Sequence, residues 1–322
     1  MSPRALVTGG AGFIGSHVAD LFIEKGYEVE IIDDLSSGNR RNLPEAAVFH
    51  ELSVNSQEAG ELVRSGGFDV LVHLAAQIDV RKSVADPVFD ATTNIVGTLN
   101  LVEAVRASGR RTRIAFTSTG GAIYGDFNTP PNVEIYAKDP ESPYAISKLA
   151  VEYYLAYYGR LHGMEHVALR FGNVYGPRQD PHGEAGVVAI FCSRILDGKP
   201  LTIFGDGMKT RDYVYVGDVA HAVFLGATRE LPPVEKVDAR AFNIGTGLGT
   251  SVVDLARMLQ EAAGSSADIV FAPKRAGEQQ ESFLDATKAS RVLRWKPQVT
   301  LQEGLARTFA WSEMQASGAR TS

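Results

Sequence analysis

The sequence has little of several features that would place it in a particular class. It contains one cysteine in 322 residues, Cys192, so an internal disulfide is excluded and a reducing compartment is favoured. The formal net charge of -6 comes from interspersed residues of both signs, which disfavours nucleic acid and anionic membranes as partners. It has no run of about 18 apolar residues and no signal-peptide pattern, so we expect a cytoplasmic protein without a membrane span.

Metal-binding patterns are also missing from the sequence. Its seven histidines are scattered, and they show no Cys, His or Asp spacing that would build a metal site. We therefore expect no bound metal. Apolar residues make up 44% of the chain, which is enough for a large buried core in a globular protein.

Short β-rich runs alternate with helical patterns through the first half of the chain. The β-rich runs cover residues 5–8, 28–32, 70–74, 113–118 and 166–170. Apolar residues at helical spacing, such as Ile14, Val18 and Leu21, fill the first intervening segments. The alternation predicts an α/β fold: a Rossmann-type doubly wound parallel sheet, followed by a smaller C-terminal α/β substrate domain.

The texture changes after Asn173, where a turn-rich connection begins. Residues 216–227 then form a helical pattern, and 242–247 a further β-rich run. We therefore expect residues 1–173 to form the cofactor-binding domain, with 213–245 returning to it. Residues 174–212 and 246–322 are expected to form the substrate domain.

Three glycines carry the first chemical signal. Gly9, Gly12 and Gly15 follow a predicted strand and open a predicted helix, where glycine permits a tight turn and close approach of backbone to a pyrophosphate. The helix N-terminus would supply unpaired N–H groups and a partial positive charge. An ordinary glycine-rich turn is the alternative, and the end of the next strand argues against it.

Asp33 closes that next strand, where an acidic side chain can accept hydrogen bonds from both adenosine ribose hydroxyls. A carboxylate there would repel a 2'-phosphate, which favours NAD over NADP. Arg40 and Arg41 keep NADP open. Residues 34–39 are expected to surround the adenine end, and the small residues of 74–77 to let backbone pass under the pyrophosphate and nicotinamide ribose.

Tyr144 and Lys148 carry the second signal, because residues four apart on a helix share a face. Tyrosine is a poor base at its ordinary pKa of about 10, and a nearby lysine cation favours the phenolate. Alone, the spacing also fits a surface tyrosine beside a solvated lysine. Its position after a strand that ends in Ser118 and Thr119 favours redox chemistry on a hydroxyl, because ligands bind beyond the carboxyl ends of parallel strands.

Seven motifs together resemble the extended short-chain dehydrogenase/reductase family, over nearly the whole chain. Within that family the sequence is most similar to the nucleotide-sugar 4-epimerases, and among these to the UDP-glucose 4-epimerases. The motifs are residues 8–16, 33–38, 73–77, 124–125, 142–148, 173–178 and 211–213.

The resemblance implies a reaction without net oxidation. Tyr144 would take the proton of the sugar 4-hydroxyl while tightly bound NAD accepts the C4 hydride, and the 4-keto sugar would rotate and receive the hydride on its other face. Lys148 would tune Tyr144 and hold the nicotinamide ribose, Thr119 would share the proton, and Ser118 would support them. Many relatives carry serine where this chain has Thr119, but the hydroxyl is kept.

The same resemblance implies two sets of contacts. Those to NAD are Gly9, Gly12, Phe13, Ile14, Gly15, Asp33, Asp34, Ser36, Ser37, Gly38, Ser53, Val54, Leu74, Ala75, Ala76, Gln77, Asn94, Thr117, Tyr144, Lys148, Phe171 and Val174. Those to the UDP-sugar are Ser118, Thr119, Tyr144, Asn173, Val187, Val188, Thr202, Phe204, Arg211, Arg275 and Glu278. At Ser53 and Val54 the chain departs from relatives that place an aspartate beside the adenine. Alternatively, Arg211 could pair with Asp212, and Phe204 could belong to the core.

Other functions stay open at this point. A UDP-glucuronate or UDP-N-acetylhexosamine 4-epimerase would share the catalytic residues, although Asn173 and Asp180 tilt the prediction toward a neutral hexose. A dehydratase or decarboxylase would resemble a pattern with a carboxylate after the catalytic hydroxyl, where this chain has Gly120 and Gly121. A non-catalytic NAD sensor would not need the tyrosine and lysine.

The resemblance also implies a homodimer. The helical patterns of residues 93–107 and 144–159 carry apolar and aromatic side chains that suit a four-helix interface. The aromatic residues among them include Tyr153, Tyr154, Tyr157 and Tyr158. Burial within the subunit is the alternative.

Overall fold

The computed structural model describes residues 2–182, 186–274 and 279–319. Its strands are β1 (Arg4–Thr8), β2 (Glu28–Asp33), β3 (Val48–Glu51), β4 (Val70–His73), β5 (Arg113–Thr119), β6 (His166–Phe171), β7 (Asn173–Tyr175), β8 (Leu201–Phe204), β9 (Thr210–Arg211), β10 (Tyr213–Tyr215), β11 (Ala241–Ile244), β12 (Thr250–Ser251), β13 (Ile269–Ala272) and β14 (Glu281–Ser282).

The α-helices lie between these strands and after the last of them. They are α1 (Phe13–Glu24), α2 (Gln57–Gly66), α3 (Val80–Ala85), α4 (Pro87–Ala91), α5 (Gly97–Ala107), α6 (Pro143–His162), α7 (Val187–Leu196), α8 (Val216–Thr228), α9 (Val252–Ala263), α10 (Thr287–Val292) and α11 (Leu301–Ala319). Short 3₁₀ helices cover Arg40–Asn42 and Val237–Arg240, and a π-helical turn, Thr92–Val96, joins α4 to α5.

Within the described residues, seven strands form one parallel sheet in the order β11-β6-β5-β4-β1-β2-β3. Its central strands are buried on both faces, as the continuous apolar run Ala5, Leu6 and Val7 shows. The Rossmann-type α/β fold predicted from the sequence is confirmed.

Helices cover the two faces of this sheet. On one face, Val18 and Phe22 of α1 pack in the same cluster as Val219 and Val223 of α8. On the other face, α2, α5 and α6 supply the core, with Leu101 of α5 among the buried residues. Successive β1 residues alternate between the two clusters because side chains alternate along a strand.

A second core lies in the C-terminal part of the chain. It joins α7, α9 and α11 to short strands, with Phe191, Leu259 and Leu305 fully buried. The strands here form small sheets: β7 with β10, β8 with β13, and β9 between β12 and β14. The small sheets give this part less backbone pairing than the seven-stranded sheet has.

The structure differs from the sequence prediction at the sheet edges. The sequence did not predict β3 (Val48–Glu51), whose side chains are partly or largely exposed and therefore show no buried apolar run. The predicted run 242–247 is shorter, as β11, and it pairs with β6 at the opposite edge of the main sheet. The division into two domains stays a prediction.

In the described part of the chain, we find no helix with the length and apolar character needed to cross a membrane.

Candidate active site

The glycine turn after β1 is built by close backbone contacts. Gly9 has a φ of +71°, and a Cβ there would lie 2.8 Å from the backbone N of Ala75. A Cβ on Gly15 would overlap the carbonyl oxygen of Gly9. The turn therefore keeps α1 tight against β1 and leaves backbone, without side chains, facing the space beyond the strand ends.

Gly12 precedes the first residue of α1 and has no side chain with which to cap the helix. Phe13 and Ile14 lie in the first turn, as the predicted phosphate-binding geometry requires. Helix N-termini of this kind attract anions through their free N–H groups and dipole.

Asp33 ends β2 beside this turn and is buried. Its two carboxylate oxygens accept hydrogen bonds from the backbone N–H groups of Ala11 (3.0 Å) and Leu35 (2.9 Å). Burial raises the pKa of Asp33, and these two hydrogen bonds oppose that rise. A Cβ on Gly38 would lie 2.6 Å from Asp33 Oδ1, so the predicted segment 34–38 folds back onto the carboxylate.

A buried relay joins β1, β4 and α5. The hydroxyl of Thr8 bonds His73 Nδ1 (2.7 Å), and His73 Nε2 bonds the hydroxyl of Thr98 (2.8 Å), which itself donates to the carbonyl of Asn94 (2.6 Å). That last bond uses the Thr98 proton, so His73 donates through Nε2 and accepts at Nδ1. Thr8 Oγ1 also accepts from the backbone N–H groups of Leu74 and Ala75.

This relay fixes the start of the predicted 74–77 cofactor segment. Burial, with a smaller effect of the Lys148 cation, lowers the pKa of His73 to about 3. The ring is therefore neutral, as the relay requires.

Gln77 and Asn94 close the other end of this segment. The Asn94 side chain accepts from the N–H of Gln77 (2.8 Å) and donates to its carbonyl (2.9 Å). Asn94 lies in the π-helical turn, a distortion often found at functional sites. The side-chain amide of Asn94 is already engaged in these hydrogen bonds. The contact of Asn94 with NAD stays a prediction.

Helix α6 carries the predicted catalytic pair, and its start is strongly encoded. The Ser142 hydroxyl caps it by accepting from the N–H of Ala145 (3.2 Å), and Pro143 is its first residue. Tyr144 follows and is half-buried, whereas Lys148, one turn later, is buried. The structure therefore places both on the face of α6 that meets the sheet.

Lys148 lies against β5. Its Nζ donates to the carbonyl of Thr117 (3.0 Å), and it lies 4.9 Å from the ring centre of Phe116 and 6.0 Å from that of Tyr144. Burial lowers the pKa of Lys148 to about 8, and the negative charge of Asp90 opposes this effect. A lysine poised in this way can stabilise a tyrosine phenolate.

Thr119 and Ser118 end β5 at the same edge of the sheet. Thr119 is half-buried and pairs in register with Phe171 of β6. The Ser118 hydroxyl donates to Glu152 (2.5 Å), whose carboxylate also accepts from the buried guanidinium of Arg170 (2.6 Å). The Ser118 hydroxyl is thus already engaged by a buried carboxylate.

Other predicted cofactor residues lie along the same edge. Val54 is buried, and its carbonyl accepts from the Asn100 side chain (2.8 Å), while Ser53 is partly exposed. Phe171 ends β6 and is buried, and Val174 is half-buried in β7. Ser53 and Val54 follow β3 and Phe171 ends β6 in the main sheet, whereas β7, which holds Val174, pairs with β10 in a separate sheet.

Asn173 and Arg211 lie on the side of the second core. Asn173 is exposed in β7, and its backbone N–H donates to the carbonyl of Asp212 (2.7 Å). Its side-chain oxygen would lie 3.7 Å from a Cβ on Gly121, two residues beyond Thr119. This places Asn173 next to the loop that continues from the predicted catalytic threonine.

Arg211 and Asp212 have separate roles. The Asp212 carboxylate accepts hydrogen bonds from Thr246, Gly247 and Leu284 and is buried. The Arg211 guanidinium donates to the carbonyls of Thr210 (2.8 Å) and Gln279 (2.7 Å). Asp212 therefore anchors the 246–247 turn, which weakens the alternative that its function is to pair with Arg211.

The remaining predicted substrate residues differ in how far they are exposed to solvent. Phe204 is 36% exposed at the end of β8, so the alternative that it belongs to the core does not hold. Thr202 and Val187 are partly buried, whereas Val188 is fully enclosed in the second core. Arg275 and Glu278 lie outside the described residues.

Arg178 is the last residue of the 173–178 motif, and His182 lies four residues beyond it. Arg178 has a φ of +69° and forms an ion pair with Asp20 of α1 (2.7 Å). The carbonyl of Pro177 bonds His17 Nε2 (2.9 Å), which ties the same turn to α1. His182 is exposed.

The tyrosines of α6 divide into two groups. Tyr158 is buried and donates its hydroxyl to Glu103 of α5. Tyr153, Tyr154 and Tyr157 are between 42% and 55% exposed. With Ala150 they line a surface depression of about 480 Å³. The alternative of burial within the subunit therefore holds for Tyr158 alone.

In the segments that the structure describes, we find no group of three or more His, Cys, Asp and Glu side chains placed to hold a metal ion.

Three residues that shape the site were not predicted from the sequence as site residues. His73 lies within a recognised motif, so that motif was a usable signal for it. Glu152 lies one turn beyond Lys148, on the face of α6 that a helical repeat would indicate. Asp90 lies four residues before Asn94, but we see no sequence pattern that points to its role.

Residues 6–308 match the family model described as GDP-mannose 4,6 dehydratase. The chain is 44% identical over 310 residues to the UDP-glucose 4-epimerase of Mycolicibacterium smegmatis, covering 95% of this chain and 97% of that protein.

Two solved structures share the fold. The Thermotoga maritima UDP-glucose 4-epimerase with UDP-glucose superimposes with a TM-score of 0.92 at 46% identity, covering 97% of this chain and 99% of that one. The Thermus thermophilus UDP-glucose 4-epimerase in complex with NAD gives a TM-score of 0.89 at 42% identity, covering 96% and 99%.

Proposed function

The chain belongs to the GDP-mannose 4,6-dehydratase family, among the extended short-chain dehydrogenases/reductases, and from this membership we propose that it is a UDP-glucose 4-epimerase. It would interconvert UDP-glucose and UDP-galactose. The observation that carries the proposal is the position of buried Lys148 beside Tyr144, at the carboxyl ends of the strands that hold the glycine turn and Asp33.

NAD fits the residues present. Side chains at Gly9 and Gly15 would overlap backbone atoms, a Cβ on Gly12 would lie 3.1 Å from the Gly9 carbonyl oxygen, and Asp33 is fixed at the end of β2. A carboxylate there suits a ribose with free hydroxyls better than a 2'-phosphate. When bound, NAD would supply the acceptor and later the donor of the C4 hydride.

Tyr144 would remove the proton from the sugar 4-hydroxyl and return it after the 4-keto sugar has rotated. Lys148 would stabilise the phenolate through its charge, because its ammonium group lies 6.0 Å from the centre of the Tyr144 ring in a buried setting. Thr119 would share the proton, and Ser118 would be held in support by Glu152.

A steric observation favours epimerisation over dehydration. Gly120 follows Thr119, and a Cβ there would overlap Leu284 and lie 3.1 Å from the Arg170 carbonyl oxygen. The buried Leu284 side chain would have to move to admit a carboxylate. This chain carries Gly120 and Gly121 after Thr119, so a carboxylate that could assist elimination of water is missing at both positions.

The sugar side of the proposal rests on polar groups of the second core. We propose that Arg211 binds the diphosphate and that Asn173 and Phe204 contact the nucleotide-sugar, with Val187, Val188 and Thr202 nearby. Arg178 is already paired with Asp20, which leaves it poorly suited to bind the C6 carboxylate of a glucuronate. UDP-glucuronate and UDP-N-acetylhexosamines are the second choices.

We also propose that the protein is a homodimer that works in the cytoplasm. The exposed Tyr153, Tyr154 and Tyr157 give α6 an aromatic surface beside α5, and two such helix pairs could form a four-helix interface. Light scattering at micromolar concentration tests the dimer, and a monomeric mass would exclude it.

The test of function is to incubate the purified protein, without added NAD, with UDP-galactose, UDP-N-acetylgalactosamine and UDP-glucuronate in separate reactions. Chromatography resolves each product. Formation of UDP-glucose would support the proposal and retained cofactor. Turnover of glucuronate alone would change the substrate, and a 4-keto-6-deoxy product would replace the epimerase with a dehydratase.

Tyr144→Phe tests the role of the tyrosine with little change of shape, because it removes one hydroxyl from a half-buried ring. The variant should keep its NAD and lose turnover by about 10²- to 10⁴-fold. Unchanged turnover would remove Tyr144 from the mechanism.

A further inference from the structure

Asp90 is a fully buried carboxylate beside the catalytic helix. One oxygen accepts from the hydroxyl of Ser147 (2.6 Å), and the other accepts from the side-chain amides of Gln77 (3.0 Å) and Asn94 (3.1 Å). Asp90 itself is 0% exposed. The carboxylate thus ties together α6, the 74–77 segment and the π-helical turn.

The three side-chain donors, Ser147, Gln77 and Asn94, are all uncharged. A buried charge is costly unless hydrogen bonds and an opposite charge stabilise it. Ser147 directly precedes Lys148, whose ammonium group is also buried and carries the opposite charge. Asp90 is the acidic group whose charge opposes the effect of burial on Lys148.

Other titratable groups face Lys148 from the elements around it. On β4, His73 is held neutral in its relay and contributes no charge. On α6, Tyr144 precedes Lys148 by one turn, and Glu152 follows by one turn but pairs directly with Arg170. Of the two carboxylates, Glu152 is neutralised by its ion pair with Arg170. Asp90 on α4 instead accepts hydrogen bonds from uncharged side chains.

We propose that Asp90 is a positioning residue that keeps Lys148 protonated through its buried charge and holds α6 in place against the 74–77 segment. The proposal rests on the proposed function, in which the Lys148 cation stabilises the Tyr144 phenolate. Loss of the charge at position 90 would favour neutral Lys148 and so weaken that stabilisation.

The first test compares pH profiles of kcat for the wild type, Asp90→Asn and Ser147→Ala. Asp90→Asn removes the charge and nearly preserves the shape, so the alkaline limb of its profile should move to lower pH by roughly one unit. Ser147→Ala removes one hydrogen bond and keeps the charge, so its alkaline limb should stay in place. A limb that moves equally in both variants, or in neither, would overturn the proposal.

The second test does not depend on turnover. Protein labelled with ¹³C at the lysine ε-carbon is titrated by NMR, and the Lys148 signal is assigned by its loss in Lys148→Met. Lys148 should titrate at lower pH in Asp90→Asn than in the wild type. The same titration point in both would refute an electrostatic role, even in a protein that epimerises none of the sugars tested.

Two further results keep the proposal open to refutation if Asp90→Asn does not fold. Asp90→Ser removes the same charge with a smaller side chain and should shift the Lys148 titration in the same direction. In the wild type itself, a Lys148 that loses its proton below about pH 7 would show that Asp90 does not preserve the cation.

Discussion

Two buried carboxylates, Glu152 and Asp90, bond serines near the predicted catalytic residues, and they are stabilised in different ways. Glu152 pairs with the guanidinium of Arg170 at 2.6 Å and accepts from Ser118. Asp90 accepts from Ser147, Gln77 and Asn94, which are all uncharged. Each carboxylate accepts a hydrogen bond from a serine hydroxyl. Ser118, which bonds Glu152, precedes Thr119, and Ser147, which bonds Asp90, precedes Lys148.

The difference lies in where each charge acts. Burial alone would lower the pKa of Arg170, but Glu152, with Tyr124 and Asp238, raises it well above its usual range. The charge of Glu152 is thus neutralised locally, and its role is to fix structure behind β5. The field of Asp90 extends to Lys148, so its role is electrostatic as well as structural.

The largest effect is expected from Glu152→Ala. The substitution leaves the buried guanidinium of Arg170 without its main partner, which should lower the free energy of unfolding by about 3–5 kcal/mol. Urea unfolding followed by circular dichroism measures it. Glu303→Ala, which breaks an exposed pair with Arg307, is the control and should change stability far less than Glu152→Ala does. Equal losses in the two variants would contradict the structural role of Glu152.

Lys148→Met removes the buried cation beside Tyr144. We expect kcat to fall by about 10³-fold, or roughly 4 kcal/mol in the barrier, because the Tyr144 phenolate loses its stabilising charge. Steady-state kinetics with saturating UDP-galactose measures it. Lys82→Met, at an exposed position over Phe89, is the control and should retain wild-type kcat. A Lys148→Met enzyme within tenfold of the wild type would refute the role.

Acid should destabilise the protein through His73, which lies close to Lys148. Burial and the Lys148 cation hold the pKa of His73 at about 3, whereas an unfolded histidine titrates near about 6.5. Below that value the unfolded chain binds a proton that the folded protein excludes, so stability falls as pH falls from 6.5 toward 3. The loss due to His73 should reach about 2 kcal/mol at pH 5.

Urea unfolding at pH 7 and pH 5 checks this prediction. His73→Gln should show a smaller loss between the two pH values than the wild type, although it is less stable at pH 7. His182→Gln, at an exposed position, should behave as the wild type does. The same pH dependence in all three proteins would show that His73 is not held neutral.

The smallest effects are expected from the two serines. Ser118→Ala and Ser147→Ala each remove a hydroxyl that donates to a buried carboxylate, and each should cost about 1.5 kcal/mol of stability. Unfolding measurements test this equality. Ser118→Ala should also lower kcat several-fold without moving the pH profile, because Glu152 does not act on Lys148. A shifted alkaline limb in Ser118→Ala would remove the distinction between the two carboxylates.

Local patterns predicted much of the fold. The β1, β2 and β4 strands were predicted to within one residue, because apolar runs bounded by turns mark buried parallel strands. The β3 strand was missed because edge strands need no buried apolar run. The positions of Asp33, Tyr144 and Lys148 followed from motif spacing, and the structure places all three at the carboxyl edge of the sheet.

The interactions that tune the site could not be read from local patterns. Asp90 and Ser147 are 57 residues apart in sequence, and Arg178 pairs with Asp20 across 158 residues. Such contacts depend on how the βαβ units stack, and the chain near each residue carries no record of its partner. The same limit hides from the sequence that the Asp212 carboxylate binds the 246–247 turn.

The position of β11 at the sheet edge has a consequence for synthesis on the ribosome. β11 ends at Ile244 of 322 residues, and it covers the edge of β6, the strand that carries Arg170. Asn243 of β11 accepts a hydrogen bond from the hydroxyl of Tyr124 (2.7 Å), and that hydroxyl accepts one from Arg170 (3.0 Å). The network next to the predicted catalytic hydroxyls is therefore completed only after three quarters of the chain has emerged, so a nascent chain could form the glycine turn long before this network exists.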